Sequence, residues 1–73
     1  MTLADLLPDS PARVARVVPF DTLSERLMEM GLVAGAEVMV ISPSRLGSPM
    51  QIRVRGYKLS LRRQEAQRVE LAS

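Results

Sequence analysis

Met50-Gln51-Ile52-Arg53-Val54-Arg55 alternates without a fault: every even-numbered residue is apolar and every odd-numbered one polar. Side chains on a strand point to opposite faces with a period of two, so this stretch predicts a strand with one buried and one wet face. Gly56-Tyr57 turns or bends the chain, and Tyr57-Lys58-Leu59-Ser60-Leu61 alternates again with its odd residues inward. Upstream, residues 43–49 hold two prolines and a glycine, which no sheet interior accepts, so they read as a loop. Before that loop, Glu37 to Ile41 reads as a strand, entered through a turn at Val33-Ala34-Gly35. Arg13 to Val18 is rich in valine, and the three-residue step from Val14 to Val17 allows a bulge. A helical turn from Arg62 to Ala66 leads to a last strand, Gln67 to Leu71, with Val69 and Leu71 inward.

Asp21 to Met30 is the one helix of full length. Thr22-Leu23-Ser24-Glu25 fits a capping box, with Thr22 as N-cap and Glu25 three residues on. Leu23, Leu27 and Met30 share one face, and Gly31 supplies the left-handed residue that commonly ends a helix. Thr2 to Leu7 has the pattern of a short helical turn, followed by a turn at Asp9-Ser10 between Pro8 and Pro11. Strands this short and amphipathic must curl over one core. The expected fold is mostly β: a small, partly open, SH3-like barrel of about five strands with one inserted α-helix.

The composition limits what such a domain can do. The chain has 73 residues, which fits a single domain over 1–73. A domain of this size buries only ~60% of the surface its unfolded chain exposes, so deep pockets are not expected. There is no cysteine and no histidine, which removes disulfides, thiol nucleophiles, soft metal ligands and the commonest general base. The serines therefore have no histidine to activate them, and an enzyme is not expected. No apolar run approaches the ~18 residues of a membrane helix, and the N-terminus lacks the pattern of a signal peptide. A reducing, cytoplasmic location suits this composition. Charge is uneven. Residues 1–40 hold three basic and six acidic side chains, net −3, whereas residues 41–73 hold seven basic and two acidic, net +5. Either the second half faces an acidic partner or nucleic acid, or the two halves neutralise each other in one folded body.

Arg26-Leu27-Met28-Glu29-Met30-Gly31-Leu32-Val33-Ala34-Gly35 resembles the helix-to-turn signature of the FeoA family, the small SH3-like proteins of bacterial ferrous iron transport. Leu46-Gly47-Ser48-Pro49 is similar to that family's hairpin loop. Ile52 to Gly56, Leu59 to Arg62 and Glu65-Ala66 are similar to its closing strands and final turn. The resemblance runs over residues 2–71, with Ala34 standing where many relatives carry proline. It implies a cytoplasmic accessory protein whose partner is FeoB, the ferrous iron permease with a cytoplasmic GTP-binding domain. The module also resembles the C-terminal SH3-like domain of some metal-dependent repressors; no helix-turn-helix precedes it here, which weakens that alternative.

Several constellations are candidates for function. Arg53 and Arg55, two apart on a strand, are expected on one face, with Lys58 outward on the next strand and Arg62-Arg63 at the following turn. Such a patch suits an acidic protein surface, phosphates or lipid head groups; the plainer role is a solvated sheet face. Arg45 and Leu46 in the loop form a second candidate contact, the alternative being that Leu46 folds back onto the core. Asp21, Glu25 and Glu29 recur at every fourth residue of the helix and could offer oxygen ligands, yet a solvated acidic face is the stronger expectation, and no metal or cofactor is assigned. Met30 and Met50 are expected on buried faces; Met28 and Met39 are the two candidates for surface contact, though core filling is the commoner role of methionine. Gly56-Tyr57-Lys58-Leu59-Ser60 has the wrong spacing for a phosphate loop. A nucleic-acid-binding barrel is the competing function; Phe20 and Tyr57, the only aromatic rings, are few for base stacking, so no nucleic acid is expected. An exposed barrel edge offers weak self-association.

Overall fold

The alternating stretches become a five-stranded antiparallel sheet in which strand order differs from chain order. The structure, a computed structural model, describes residues 1–45 and 47–72. After a 3₁₀ turn at Leu3–Asp5 come β1 (Pro11–Val17), α1 (Thr22–Glu29), β2 (Glu37–Ser42), β3 (Met50–Val54), β4 (Tyr57–Leu61), α2 (Arg63–Ala66) and β5 (Val69–Ala72). The order across the sheet is β4-β3-β2-β1-β5, which leaves β4 and β5 at its two edges. Met50, Ile52 and Val54 of β3 point inward with Val38 and Val40 of β2, Val14 and Val17 of β1, and Leu61 and Val69. Burial of this set, at roughly 1.5–3 kcal/mol per large side chain, drives the sheet to curl. The irregular step in β1 is a bulge: pairing with β5 shifts register between Val14 and Arg16. A second shift, between Val40 and Ser42 of β2, had no sequence signal because Ile41 continues an apolar run.

Helix α1 closes one side of the core through Leu27, while Leu23 and Met28 are partly buried against it. Three expectations change here. Asp21 is the N-cap rather than Thr22, since its carboxylate accepts from the Ser24 N–H at 3.0 Å. Ser24 takes the buried place on the helix, its hydroxyl donating to the Pro19 carbonyl. Met30 is 42% exposed because it lies past the last full turn, and Met28, partly buried, takes the inward place expected for Met30.

The helix ends as Gly31 predicts. The Gly31 N–H donates to the Met28 carbonyl at 3.0 Å and the Leu32 N–H to the Leu27 carbonyl at 3.1 Å. This is the Schellman arrangement, with buried Leu27 and Leu32 as its apolar contact. At the far edge of the sheet the chain's own start covers β5: Thr2 bridges Glu70, and the Leu71 N–H donates to the Met1 carbonyl at 3.0 Å. Of the first turn's leucines only Leu3 is fully buried, and Leu7 is exposed.

Asp21 also joins the two ends of the fold. Arg68, only 25% exposed, donates from Nη1 to both carboxylate oxygens at 2.6 and 2.7 Å. This guanidinium first, and the Ser24 N–H second, hold the Asp21 carboxyl below its ordinary pKa. A depressed folded pKa stabilises above the unfolded value and loses that contribution as pH falls through the folded one. Acid titration of the wild type should therefore show a loss of stability below the ordinary aspartate range. Asp21→Asn should shrink that pH-dependent component, and an unchanged acid limb in the variant would refute the assignment.

Candidate functional site

The outer face of the sheet carries a row of side chains set by strand register. Pro11 of β1 lies opposite Met39 of β2, Met39 opposite Arg53 of β3, and Arg53 opposite Lys58 of β4. All four are exposed. Like charges directly opposite one another on a sheet are destabilising, so Arg53 and Lys58 are not placed there for stability. The ion pairs among the described residues are Arg13–Glu37, Arg16–Glu70 and Arg68–Asp21. Of the basic residues of the second half, Arg68 alone takes part in them. Arg45, Arg53, Arg55, Lys58, Arg62 and Arg63 have no ion-pair partner among the described residues, so the first half's carboxylates pair with only one of the second half's cations, Arg68.

Arg55 is not on a strand face beside Arg53 as the alternation suggested. Val54 pairs with Tyr57, so Arg55 and Gly56 are the two-residue loop of the hairpin, with φ of +52° and +81°. Positive φ at both central positions is the type I′ turn, which matches the sheet's twist. Arginine is a poor residue for that place, where asparagine, aspartate or glycine is usual. Its side chain lies across the end of α1: a Cβ built on Gly31 would sit 3.5 Å from Arg55 Cδ and 3.9 Å from its Nε. A cation there is favoured by the partial negative charge of the helix C-terminus. Arg55→Asn should raise stability by about 0.5–1 kcal/mol by relieving the left-handed backbone, read as the denaturant midpoint. A loss of stability would mean the contact over Gly31 outweighs the turn strain.

Pro11, Glu37, Met39, Arg53, Arg55 and Gly56 line a shallow groove of about 220 Å³ on this outer face. A second hollow, of about 310 Å³, lies between Gly47, Pro49, Ser60, Arg62 and Glu65. Arg62 is the N-cap of α2, and its backbone N–H donates to Glu65 Oε1 at 2.7 Å. Arg63 begins that helix and is exposed. Arg45 is exposed in a small turn closed by a bond from the Ser48 N–H to its carbonyl at 2.8 Å. Leu46, the other half of that candidate contact, lies outside the described residues.

Both aromatic rings are at the surface. Tyr57 is 65% exposed, not buried as its alternation with Leu59 and Leu61 implied, because it stands next to the hairpin turn on the sheet's edge strand, although its partner Val54 is in the core. Phe20, 73% exposed between β1 and α1, carried no sequence signal. Among the described residues, no group of three or more carboxylates gathers to hold a metal ion. The helical trio is broken at its first member, since Asp21 faces Arg68. No helix of the described residues is long and apolar enough to cross a membrane.

Comparison with known proteins bears on this geometry. The FeoA domain model matches residues 1–73. A curated relative from Porphyromonas gingivalis, the Fe(2+) transport protein A/Fe(2+) transporter FeoB fusion protein, is 32% identical over 71 residues. That match covers 97% of this chain but only 8% of the relative. The crystal structure of Stenotrophomonas maltophilia FeoA complexed with zinc, described as a prokaryotic SH3 domain protein, superposes with a TM-score of 0.87 at 33% identity. It is matched over 99% of this chain and 89% of that one. A manganese-dependent transcriptional repressor gives a TM-score of 0.88 over 100% of this chain and 41% of its own, but at 15% identity that likeness concerns the fold alone. A family model spanning the whole chain, a relative above 30% identity and the SH3-like sheet agree: the chain belongs to the FeoA family.

Proposed function

We propose that this chain is a cytoplasmic accessory protein of bacterial ferrous iron uptake that acts by binding the FeoB permease, including its GTP-binding domain, and not by catalysis. The observation that carries the proposal is the Porphyromonas gingivalis relative, in which a segment similar to this chain is joined to a FeoB transporter in one polypeptide. Two proteins that function when fused are expected to meet when separate, at lower effective concentration. Residues 1–73 act as one domain in this proposal. The contact surface is the unneutralised basic set: Arg53, Arg55 and Lys58 at the β3–β4 hairpin, Arg62 and Arg63 beyond it, and Arg45 with Leu46 in the loop. Charged rims of this kind speed and orient association with an acidic partner.

The test is capture of detergent-solubilised FeoB from the source organism on the immobilised 73-residue protein, at low and moderate salt. Capture is expected, weakening with salt. The double charge reversal Arg53→Glu with Lys58→Glu should reduce it at least about tenfold, since each lost pair and each new repulsion adds to the cost. Absence of FeoB from the captured fraction would refute the partner. Capture indifferent to salt and to the reversal would refute the surface.

A further inference from the structure

We infer that the free edge of β4 receives an extended acidic segment of the partner as a sixth strand, with acidic side chains four residues apart. The inference deepens the proposed partner binding and rests on it for the identity of the partner, but its own chemistry is testable alone. The two edges of the sheet are unequal. β5 is covered by the N-terminal segment through the Thr2–Glu70 bridge and the bond from Leu71 to Met1. β4 pairs with β3 on one side and, among the described residues, with no strand on the other.

The register determines which groups that edge presents. In a hairpin with a two-residue loop the flanking pair, here Val54 and Tyr57, exchanges both backbone hydrogen bonds. Hydrogen-bonded and non-bonded pairs then alternate, so Lys58 opposite Arg53 and Ser60 opposite Gln51 are the non-bonded ones. The N–H and C=O groups of Lys58 and Ser60 therefore point away from β3. Among the described residues neither makes a backbone bond elsewhere. The edge ends at Arg62, whose N–H is already taken by Glu65.

Side chains supply the specificity. Lys58 and Ser60 lie on the outer face, and Arg62, in extended backbone with φ −71° and ψ 156°, continues the same alternation. A strand added beside β4 would set one side chain next to Lys58, prolonging the Pro11–Met39–Arg53–Lys58 row, and another, four residues away, next to Arg62. Two carboxylates at that spacing would neutralise Lys58, relieve the Arg53–Lys58 repulsion and engage Arg62 beside the hollow at Pro49 and Glu65. A second copy of this chain is the wrong occupant. Antiparallel pairing of β4 with itself sets Lys58 against Lys58 when centred on Lys58 and against Arg62 when centred on Ser60, like charges both times; centred on Leu59 it sets Lys58 against Ser60, where no carboxylate neutralises it. Affinity from the main chain and selectivity from alternate side chains is the usual division of labour in strand addition.

The probe is a short capped peptide of alternating threonine and valine carrying two glutamates four residues apart, with a lysine-for-glutamate version as control. The wild-type protein should bind the acidic peptide, slow hydrogen exchange at the Lys58 and Ser60 amides, and reject the basic one. Lys58→Glu with Arg62→Glu should reverse that preference, a readout that misfolding cannot produce. Ser60→Pro removes an outward amide and leaves the backbone ladder to β3 intact, losing only the exposed bond from Gln51 Nε2 to the Ser60 hydroxyl, so it should keep the fold and weaken the acidic peptide at least about tenfold. Absence of binding, or binding that leaves those two amides unprotected, would overturn the inference. Capture of FeoB by wild type and Ser60→Pro alike would also overturn it while leaving the partner standing. Peptide binding without capture of FeoB would sustain the edge and refute the partner.

Discussion

Leu27→Ala should destabilise the protein by about 2–5 kcal/mol, the range for truncating a buried leucine. Leu27 is fully buried and is the one apolar residue of α1 that is. Its carbonyl also receives the Leu32 N–H that closes the helix end, and the two leucines are both in the core. Truncation therefore leaves a void under α1, the longer of the two α-helices among the described residues, and loosens the apolar contact of its terminal motif. A chain of 73 residues has a total stability of about 4–11 kcal/mol, so the variant should melt at least about 10 °C lower. Leu7→Ala is the internal control: Leu7 is exposed, and its loss should fall within about 0.5 kcal/mol of zero. A Leu27→Ala cost below about 1 kcal/mol in equilibrium denaturation would mean that α1 is not anchored to the sheet as described.

Gly31→Val should cost about 2–3 kcal/mol, and Gly31→Ala about 1 kcal/mol. Gly31 has φ of +109°, a conformation that side-chain-bearing residues rarely adopt. Space is not the first obstacle. A Cβ would meet Arg55 Cδ at 3.5 Å and Val54 Cγ2 at 3.7 Å, which is ordinary contact. The cost for alanine is thus mainly conformational, whereas the branched valine adds methyl groups toward Arg55 and Val54. Denaturant titration of both variants separates the two terms. Equal costs would point to backbone strain alone, and a neutral alanine would show that the turn can reach φ below zero.

The local rules were strong where residue type and period coincide. Met50, Ile52 and Val54 alternate with charged or polar neighbours, and β3 is buried on that face and wet on the other. Gly31 and the step from Val14 to Val17 predicted a helix end and a bulge, and both are present. The misplacements came where a side chain several residues away decides. Thr22 and Asp21 can each cap a helix; the carboxylate of Asp21 is fixed by Arg68 from the far end of the chain, so it takes the role. Tyr57 obeys its strand's period but stands at the hairpin end of an edge strand, a position that periodicity does not encode.

The basic surface shows the same division. That the second half is rich in arginine and lysine, and that Arg53 and Lys58 point outward, follows from the sequence, because charge and a two-residue period are local properties. The sequence by itself also determined a mostly β, SH3-like fold with one helix. Only the tertiary structure decided that Arg53 and Lys58 face each other, that Arg55 leaves the strand for a left-handed turn, that the second half's cations other than Arg68 stay without ion-pair partners among the described residues, and that among those residues β4 rather than β5 keeps an open edge. The physical reason is that register, pairing and edge coverage are contacts between residues distant in sequence, selected by how all strands close over one core at once.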